Sequence, residues 1–187
     1  MPRPARKILR LQVNGEPAEL AVRPHETLLE ALRYGLRLTG SKQGCDKGDC
    51  GACTVRIDGV PALACLTLAL DAEGKSVTTI EGLAQGGVPD AVQAAFDRCG
   101  ALQCGFCQSG MMVSARALLD ANPKPSLKEI KEALSGNLCR CTGYTKILEA
   151  VQVAAGICQP GEGPVGDGLE RPPHPSLSPR GGEGGTS

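Results

Sequence analysis

Ten cysteines in a chain of 187 residues are the feature that most constrains how this sequence can fold. Trp is absent and only two Tyr and two Phe are present, so the core must be built from aliphatic side chains. Such a core is thin, and a cysteine content this high indicates that covalent or metal cross-links supplement it. The spacing of the cysteines is therefore the main guide to what the chain does.

The compartment decides whether disulfides or metal sites are expected. Residues 1–10 include four basic side chains, but the apolar segment that follows the basic residues of a secretory signal is missing. No apolar run approaches the ~20 residues of a membrane span. We therefore expect a cytoplasmic protein without a membrane span, with export on a partner's signal left open. Cytosolic thiols stay reduced, so closely spaced cysteines there are more often metal ligands than disulfides.

The charge of the chain indicates one class of partner to exclude. Twenty basic and twenty acidic side chains give a net charge of zero, and the Lys and Arg residues are scattered singly along the chain. This pattern lacks the clustered positive field that binding to phosphate backbones needs. We therefore expect no nucleic acid partner.

Residues 7–81 are predicted to form a small sheet crossed by one helix. Alternating apolar residues flank Asn14-Gly15, a dipeptide typical of a tight hairpin, and a second pair of apolar segments flanks Asp58-Gly59. The β-branched run at 77–80 predicts one more strand. Thr27 followed by Glu30 has the pattern of a capping box, which predicts a short helix between the hairpins.

The rest of the chain has a different periodicity. Residues 82–88 contain three glycines and are predicted to be a linker, and residues 89–156 carry four apolar stripes with helical spacing. Gly and Pro dominate from residue 159 to 187. We expect this last segment to be a disordered tail whose removal leaves both metal sites intact, because it buries too little apolar surface to offset its ordering entropy.

The first group of cysteines has the spacing of a plant-type [2Fe-2S] ferredoxin. Cys45, Cys50 and Cys53 form a C-x4-C-x2-C pattern, and Cys65 follows after eleven intervening residues. The glycines between them permit the close main-chain approach that bridging sulfides require. Zinc sites usually show two CxxC or CxxH pairs instead, so an iron–sulfur cluster is the favoured interpretation over zinc or structural thiols.

The second group is more ambiguous by spacing alone. Cys104 and Cys107 form a CxxC, and Cys139 and Cys141 form a CxC farther along the chain. Zinc, a redox dithiol and a cluster are all compatible with this set. Both pairs precede predicted helices, where unpaired N–H groups and the helix dipole favour thiolates, so a second four-thiolate cluster is plausible. Cys99 and Cys158 lie outside both groups and are expected to be buried free thiols.

Three runs of residues resemble one known family. The runs, in chain order, are Gly44-Cys45-Asp46-Lys47-Gly48-Asp49-Cys50-Gly51-Ala52-Cys53-Thr54-Val55, Gln103-Cys104-Gly105-Phe106-Cys107-Gln108-Ser109-Gly110-Met111 and Gly136-Asn137-Leu138-Cys139-Arg140-Cys141-Thr142-Gly143-Tyr144. They are similar to the small iron–sulfur subunit of the molybdenum hydroxylases, the family of xanthine oxidase, aldehyde oxidoreductase and aerobic carbon monoxide dehydrogenase. The resemblance covers roughly residues 7–156.

The resemblance implies a fold, cofactors and partners. The implied fold is α+β, with a β-grasp, plant-type ferredoxin-like domain at 7–81 followed by an all-α four-helix domain at 89–156. Each domain would hold one [2Fe-2S] cluster, and the second cluster would lie nearer the molybdenum. The partners would be a large molybdopterin-binding subunit and usually an FAD-binding medium subunit. In the family, residues equivalent to Gln103 and Cys141 lie against the pterin.

The electron acceptor stays open. Many relatives have Thr-Pro where this chain has Gln108-Ser109, and some relatives with Gln-Ser use an acceptor other than a flavin subunit. The run Thr142-Gly143-Tyr144 instead resembles the flavin-coupled type. The two motifs therefore point to different acceptors.

Two functions remain to be distinguished. The first is an electron-transfer subunit of an oxidoreductase complex, relaying single electrons through two clusters, with the substrate site on another chain. The sequence has no Ser/His/Asp set, carboxylate pair or phosphate loop, so we expect no catalytic residue in this chain. The alternative is a stand-alone zinc-binding or redox-regulatory module.

Overall fold

The computed structural model describes residues 5–166. A mixed five-stranded sheet has the order β2-β1-β5-β3-β4. Its strands are β1 Lys7–Val13, β2 Glu16–Val22, β3 Thr54–Ile57, β4 Val60–Leu63 and β5 Ser76–Thr78. The longer helices follow the sheet in the chain: α2 Ala91–Arg98, α3 Gln108–Ala121, α4 Leu127–Leu134 and α5 Thr145–Ala154. The α+β class expected from the sequence is confirmed.

Two tight turns fix the register of the sheet. Asn14 and Gly15 both have positive φ, 54° and 87°, and Val13 pairs with Glu16 across this turn. Asp58 and Gly59 make the equivalent turn between β3 and β4. Both hairpins therefore form where the turn dipeptides predict them. Strand β5 joins the two, since it pairs parallel to β1 and antiparallel to β3.

A short helix covers the sheet. The α-helical turn Leu28–Glu30, α1, begins at a Thr27/Glu30 capping box and continues as the π-helical turn Ala31–Gly35. Leu28, Leu29 and Leu32 are almost fully buried, and they form the first core with apolar side chains of β1, β2, β3 and β5. The loop between this helix and β3 carries Cys45, Cys50 and Cys53.

The later helices pack around a second core. Phe96, Met111, Ile130 and Ile147, one from each of α2 to α5, are fully buried there. Capping boxes begin α2 at Asp90 and α4 at Ser126. Helices α3 and α5 instead begin directly after the CxxC and CxC loops, as the sequence predicts. No helix within residues 5–166 is long and apolar enough to cross a membrane.

The segment after α5 differs from the sequence-based expectation. Residues 159–166 return along α5, where the side chains of Glu149 and Gln152 bind their backbone. Val165 N–H donates to Gln152 Oε1 over 2.7 Å, and Gln152 Nε2 donates to Val165 O over 2.8 Å. Buried polar side chains of the helix supply partners that apolar periodicity cannot reveal. The remainder of the predicted tail lies outside the described residues.

Candidate metal centres

The structure brings the four cysteines of the first group together. Cys45, Cys50 and Cys53 lie in the loop before β3, and Cys65 lies just after β4, which pairs with β3. The thiols lie as two couples, Cys45 with Cys50 and Cys53 with Cys65, and the members of each couple are near enough to shift each other's pKa. Cys50 and Cys65 also interact electrostatically across the couples. The first site is therefore one group of four thiols.

Cys45 and Cys50 are the outer couple of the first site, and backbone N–H groups there favour a charged sulfur at Cys45. The amides of Lys47 and Cys50 each donate to Cys45 Sγ over 3.4 Å. These bonds, with Lys47 the stronger influence, lower the pKa of Cys45 to about 7. A Cβ at Gly44 would lie 2.8 Å from Cys50 Sγ, so glycine is needed for the loop to approach the thiols this closely.

The inner couple of the first site, Cys53 and Cys65, lies among apolar side chains. Cys53 and Cys65 are buried and belong to the first core. Burial raises the pKa of Cys53 to about 12, and contact with the Cys65 thiol adds to the effect. An uncompensated thiolate is therefore strongly disfavoured at Cys53. A bound metal ion supplies the missing positive charge and deprotonates the coordinating thiol.

The second group of cysteines also forms two couples. Cys104 Sγ lies 3.7 Å from Cys141 Sγ, and Cys107 and Cys139 are near enough to shift each other's pKa. The loops that carry them precede α3 and α5, so the two helices fix their positions. Cys104 and Cys141 are exposed, whereas Cys107 is buried. The second site thus has an outer couple at the surface and an inner couple toward the protein.

The inner couple of the second site is unequal in acidity. Burial raises the pKa of Cys107 to about 12. Burial also acts to raise the pKa of Cys139, but hydrogen bonds from the Thr142 hydroxyl and amide outweigh it and lower this pKa to about 7. One thiol of the couple is thus prepared for ionisation, while the other requires a counter-charge.

A tyrosine holds the CxC loop in place. Tyr144 adopts a left-handed conformation, φ 66°, at the start of α5. Its hydroxyl donates to Asn137 O over 3.1 Å and accepts from Cys139 N–H over 2.9 Å. The bonds close the loop that runs from Asn137 to Tyr144. The loop can therefore present Cys139 and Cys141 in a fixed orientation.

Each set of four thiols fits a two-iron cluster. A [2Fe-2S] cluster takes four thiolates, two on each iron, and each site here offers two thiol couples. Among residues 5–166, no group of three or more His, Cys, Asp or Glu has the arrangement for holding one metal ion. The described cysteines are all free thiols, so no disulfide competes for these positions.

The two sites touch through their backbones. Leu138 N–H donates to Cys50 O over 2.9 Å, which joins the residue before Cys139 to a member of the first group. Ser109 Oγ donates to Ala52 O over 3.3 Å. Phe106 belongs to the second motif, yet its ring lies 3.3 Å from the position of a Cβ at Gly44. The loops of the two sites therefore form one continuous interface.

Gln103 lies at the exposed end of the second site. Its Nε2 donates to Cys141 O over 3.1 Å, so Gln103 lies beside Cys141. Leu102, Phe106 and Leu138 are between 45 and 53% exposed around the same loops. The outer couple is thus surrounded by apolar side chains at the surface, a pattern typical of a protein–protein contact.

Sequence reasoning missed the residues that join the sites. Asn137, Leu138 and Tyr144 stand in a recognisable motif, but cysteine spacing gives them no role. Asn137 binds Gly51, 86 positions earlier in the chain. Such a contact has no local periodicity, and the only signal was the placement of Asn137 and Leu138 immediately before the CxC.

Comparison with protein families identifies two cluster-binding regions. Residues 11–76 match a family described as a 2Fe-2S iron-sulfur cluster binding domain. Residues 79–152 match a family described as a [2Fe-2S] binding domain. Each matched region contains one of the two groups of four thiols.

Individual relatives and structures agree with these families. The nicotine 6-hydroxylase small subunit of Paenarthrobacter nicotinovorans is 51% identical, over 78% of this chain and 88% of the relative. The nicotinate dehydrogenase small FeS subunit of Eubacterium barkeri is 47% identical, over 80% of this chain and 96% of the relative. The structure of quinoline 2-oxidoreductase from Pseudomonas putida 86 matches with a TM-score of 0.79 and 48% identity, over 81% of this chain and 95% of the matched chain. The chain therefore belongs to the small [2Fe-2S] iron–sulfur subunits of the molybdenum hydroxylase family.

Proposed function

We propose that this chain is the electron-transfer subunit of a molybdenum hydroxylase complex. It relays electrons one at a time through two [2Fe-2S] clusters, from a molybdopterin site on a large partner subunit to an FAD-binding medium subunit or another acceptor. The observation that carries the proposal is the hydrogen bond from Leu138 N–H to Cys50 O. A relay needs two sites in contact, whereas a zinc-binding or regulatory module has no such requirement.

The eight paired cysteines are the proposed cluster ligands. Cys45, Cys50, Cys53 and Cys65 would hold the first cluster in a β-grasp domain at 7–81. Cys104, Cys107, Cys139 and Cys141 would hold the second in a four-helix domain at 89–156, after a linker at 82–88. When bound, each cluster supplies a site that changes by one electron. The chain's own residues fix the thiols, exclude water from the inner couples and hold the two sites together.

The exposure of the second site supports its contact with the large subunit. Its outer couple, Cys104 and Cys141, is at the surface, whereas its inner couple adjoins the first site through Leu138. In the proposed complex, Gln103 and Cys141 would lie against the pterin. Electrons would then enter at the outer couple and leave toward Cys50.

The Gln108-Ser109 motif, which left the electron acceptor undecided, lies in the protein interior. Gln108 and Ser109 are both buried, and Ser109 binds the loop of the first site. The Ser109 side chain therefore bears on the packing between the sites, whereas Gln108 Nε2 donates to Ala101 O within the helical region. We assign the acceptor to the exposed rim of the first site, where Leu66 is 60% exposed. An FAD-binding subunit is the proposed occupant. A cytoplasmic location is proposed as well, because cysteines there stay reduced and available as metal ligands.

Metal analysis of the purified full-length chain tests this function. The proposal predicts about four iron and about four acid-labile sulfide per chain, because each [2Fe-2S] cluster holds two of each. Zinc without sulfide would establish the alternative, a zinc-binding or redox-regulatory module. About two of each would mean that only one of the two sites holds a cluster, which also contradicts a relay.

A further inference from the structure

A buried amide lies between the two sites and is a ligand of neither. The side chain of Asn137 is almost completely enclosed, with 3% of the residue exposed. Its Nδ2 donates to Gly51 O over 3.0 Å and to Thr54 Oγ1 over 3.3 Å. Its Oδ1 accepts from Ser114 Oγ over 2.8 Å. One side chain thus fastens α3 and the CxC loop to the loop of the first site.

Glycines allow the backbones to meet at this amide. A Cβ at Gly110 would lie 2.1 Å from Gly51 O, which no real contact permits. A Cβ at Gly51, where φ is 69°, would lie 2.6 Å from Asn137 Nδ2. The loop of the first site is therefore seated directly on α3 and Asn137, and any added atom would push the loops apart.

The amide fixes the residues on either side of the direct contact between the sites. Asn137 binds Gly51, and their chain neighbours, Leu138 after Asn137 and Cys50 before Gly51, form the 2.9 Å backbone hydrogen bond. Cys139 follows Leu138 immediately. A bonded route between the sites thus runs from the Cys50 backbone through one hydrogen bond to the Leu138 backbone and on to Cys139.

We propose that Asn137 is a positioning residue for electron transfer between the two sites. The inference rests on the proposed function, because it assumes that both sites hold clusters. In the step, one electron leaves the second site, which is oxidised by one electron, and enters the first site, which is reduced by one. No bond forms or breaks and no proton moves. The rate of such a step falls steeply with separation, so a side chain that holds the loops together sets the rate.

The test compares Asn137→Ala with the matched control Asn122→Ala in the full-length, cluster-loaded chain. Asn122 also binds through its side-chain amide, but it is only half-buried at the C-terminal end of α3, where it bonds Glu129 and the Lys124 N–H, remote in sequence from both cysteine groups. Two quantities are measured: the rate of electron exchange between clusters after pulsed reduction, and the magnetic interaction between clusters in electron spin resonance of the fully reduced protein. Small misplacements slow positioned reactions by up to about a hundredfold, so we expect a fall on the order of tenfold for Asn137→Ala.

The expected result is slower exchange and a weaker magnetic interaction in Asn137→Ala, with both cluster signals retained and the control unchanged. A variant with both signals and the exchange rate of the unmodified protein would overturn the inference. That outcome would leave the proposed function standing. If the unmodified chain showed fewer than two cluster signals, the proposed function itself would be overturned.

A second pair of variants decides the matter if Asn137→Ala loses a cluster. Gly110→Ala forces the loops apart with the amide still present, whereas Gly136→Ala adds a methyl group where no atom lies within 4 Å. We expect slower exchange in Gly110→Ala and an unchanged rate in Gly136→Ala. Equal rates in the two glycine variants, at full cluster content, would overturn the inference.

Discussion

Single side chains determine which thiols are prepared for metal and which are not. Cys45 and Cys139 each accept hydrogen bonds that lower their pKa to about 7, whereas burial raises the pKa of Cys53 and Cys107 to about 12. Each site therefore combines a readily ionised thiol with one that needs a counter-charge. The free energy gained on metal binding must offset this cost, so ligand loss should also weaken the fold around it.

Cys45→Ser is expected to abolish the first cluster and leave the second. The two groups of thiols lie in different cores, so loss of one does not remove the ligands of the other. Electron spin resonance of the reduced variant measures this directly. Cys99→Ser is the control, because Cys99 is buried outside both groups and both signals should survive. Loss of both signals in Cys45→Ser would contradict separate sites.

Tyr144→Phe is expected to loosen the second site only. The change removes the hydroxyl that bridges Cys139 N–H and Asn137 O, at a cost of about 1–2 kcal/mol. The second cluster should then be lost faster to an iron chelator, while the first is unaffected. Tyr34→Phe serves as the control, since Tyr34 is 66% exposed and its hydroxyl donates to Gln43 Oε1, away from the second site. Equal rates of loss in both variants would contradict the assigned role of Tyr144.

At the scale of elements, α5 does two tasks. Its N-terminus follows the CxC loop, and its buried face binds the returning segment 159–166. Glu149 is fully buried, bonds Lys146 Nζ over 2.8 Å and accepts from Gly161 N–H. A buried carboxylate without partners is costly, so this segment is a structural part of the helical region.

Truncation after Cys158 is therefore expected to destabilise the helical region, whereas the sequence analysis expects both metal sites to survive it. Removal of the segment exposes Glu149 and Gln152 and deletes their backbone partners, at a cost of about 1–3 kcal/mol. The thermal midpoint of this truncation is compared with that of a chain truncated after Gly166, which keeps the segment. Identical midpoints would show that the contacts with α5 contribute nothing.

Glu149 also predicts a pH dependence. Burial would raise its pKa, but the Lys146 ammonium and the Gly161 N–H outweigh burial and hold the pKa below its usual 4.5. A lowered folded pKa gives stability that is present above the unfolded pKa and is lost only as pH falls through the folded value. The stability lost in Glu149→Gln should thus be constant between about pH 8 and about pH 5.5.

The thermal midpoints of the unmodified chain and Glu149→Gln, measured across this range, check the expectation. Glu132→Gln is the control, because Glu132 is exposed and its 3.8 Å ion pair with Lys128 is weak. A difference for Glu149→Gln that already shrinks between neutral pH and about pH 5.5 would show a carboxylate protonated in that range.

At the scale of the whole molecule, the helices and strands could be predicted from the sequence, but the contacts between them could not. Asn14-Gly15 and the Thr27/Glu30 capping box act over a few residues, so the hairpin and helix could be predicted locally. The cysteine groups could be predicted because a cluster dictates ligand spacing. The bond from Asn137 to Gly51 could not, since it depends on how two separate cores pack. The segment 159–166 was missed because polar side chains bind its backbone.

The proposed direction of electron transfer, from molybdenum into the second site, predicts the effect of Gln103→Ala in the assembled complex. Loss of this amide should remove one or two hydrogen bonds, worth about 1 kcal/mol each, at the face that we propose contacts the large subunit. Electron transfer from molybdenum should slow, or the cofactor should be retained less well, while both clusters remain. Gln12→Ala, at an exposed position of β1, is the control. Normal transfer and normal retention in Gln103→Ala would contradict the assigned pterin contact.

We propose above that one chain carries two one-electron sites. Spin quantitation during a reductive titration of the full-length chain measures their number, because each reduced [2Fe-2S] cluster contributes a single unpaired electron. Two distinguishable signals are expected, each integrating to about one spin per chain, for the two groups of four thiolates. A single signal with about one spin per chain, or no signal in a protein that contains zinc, would contradict this proposal.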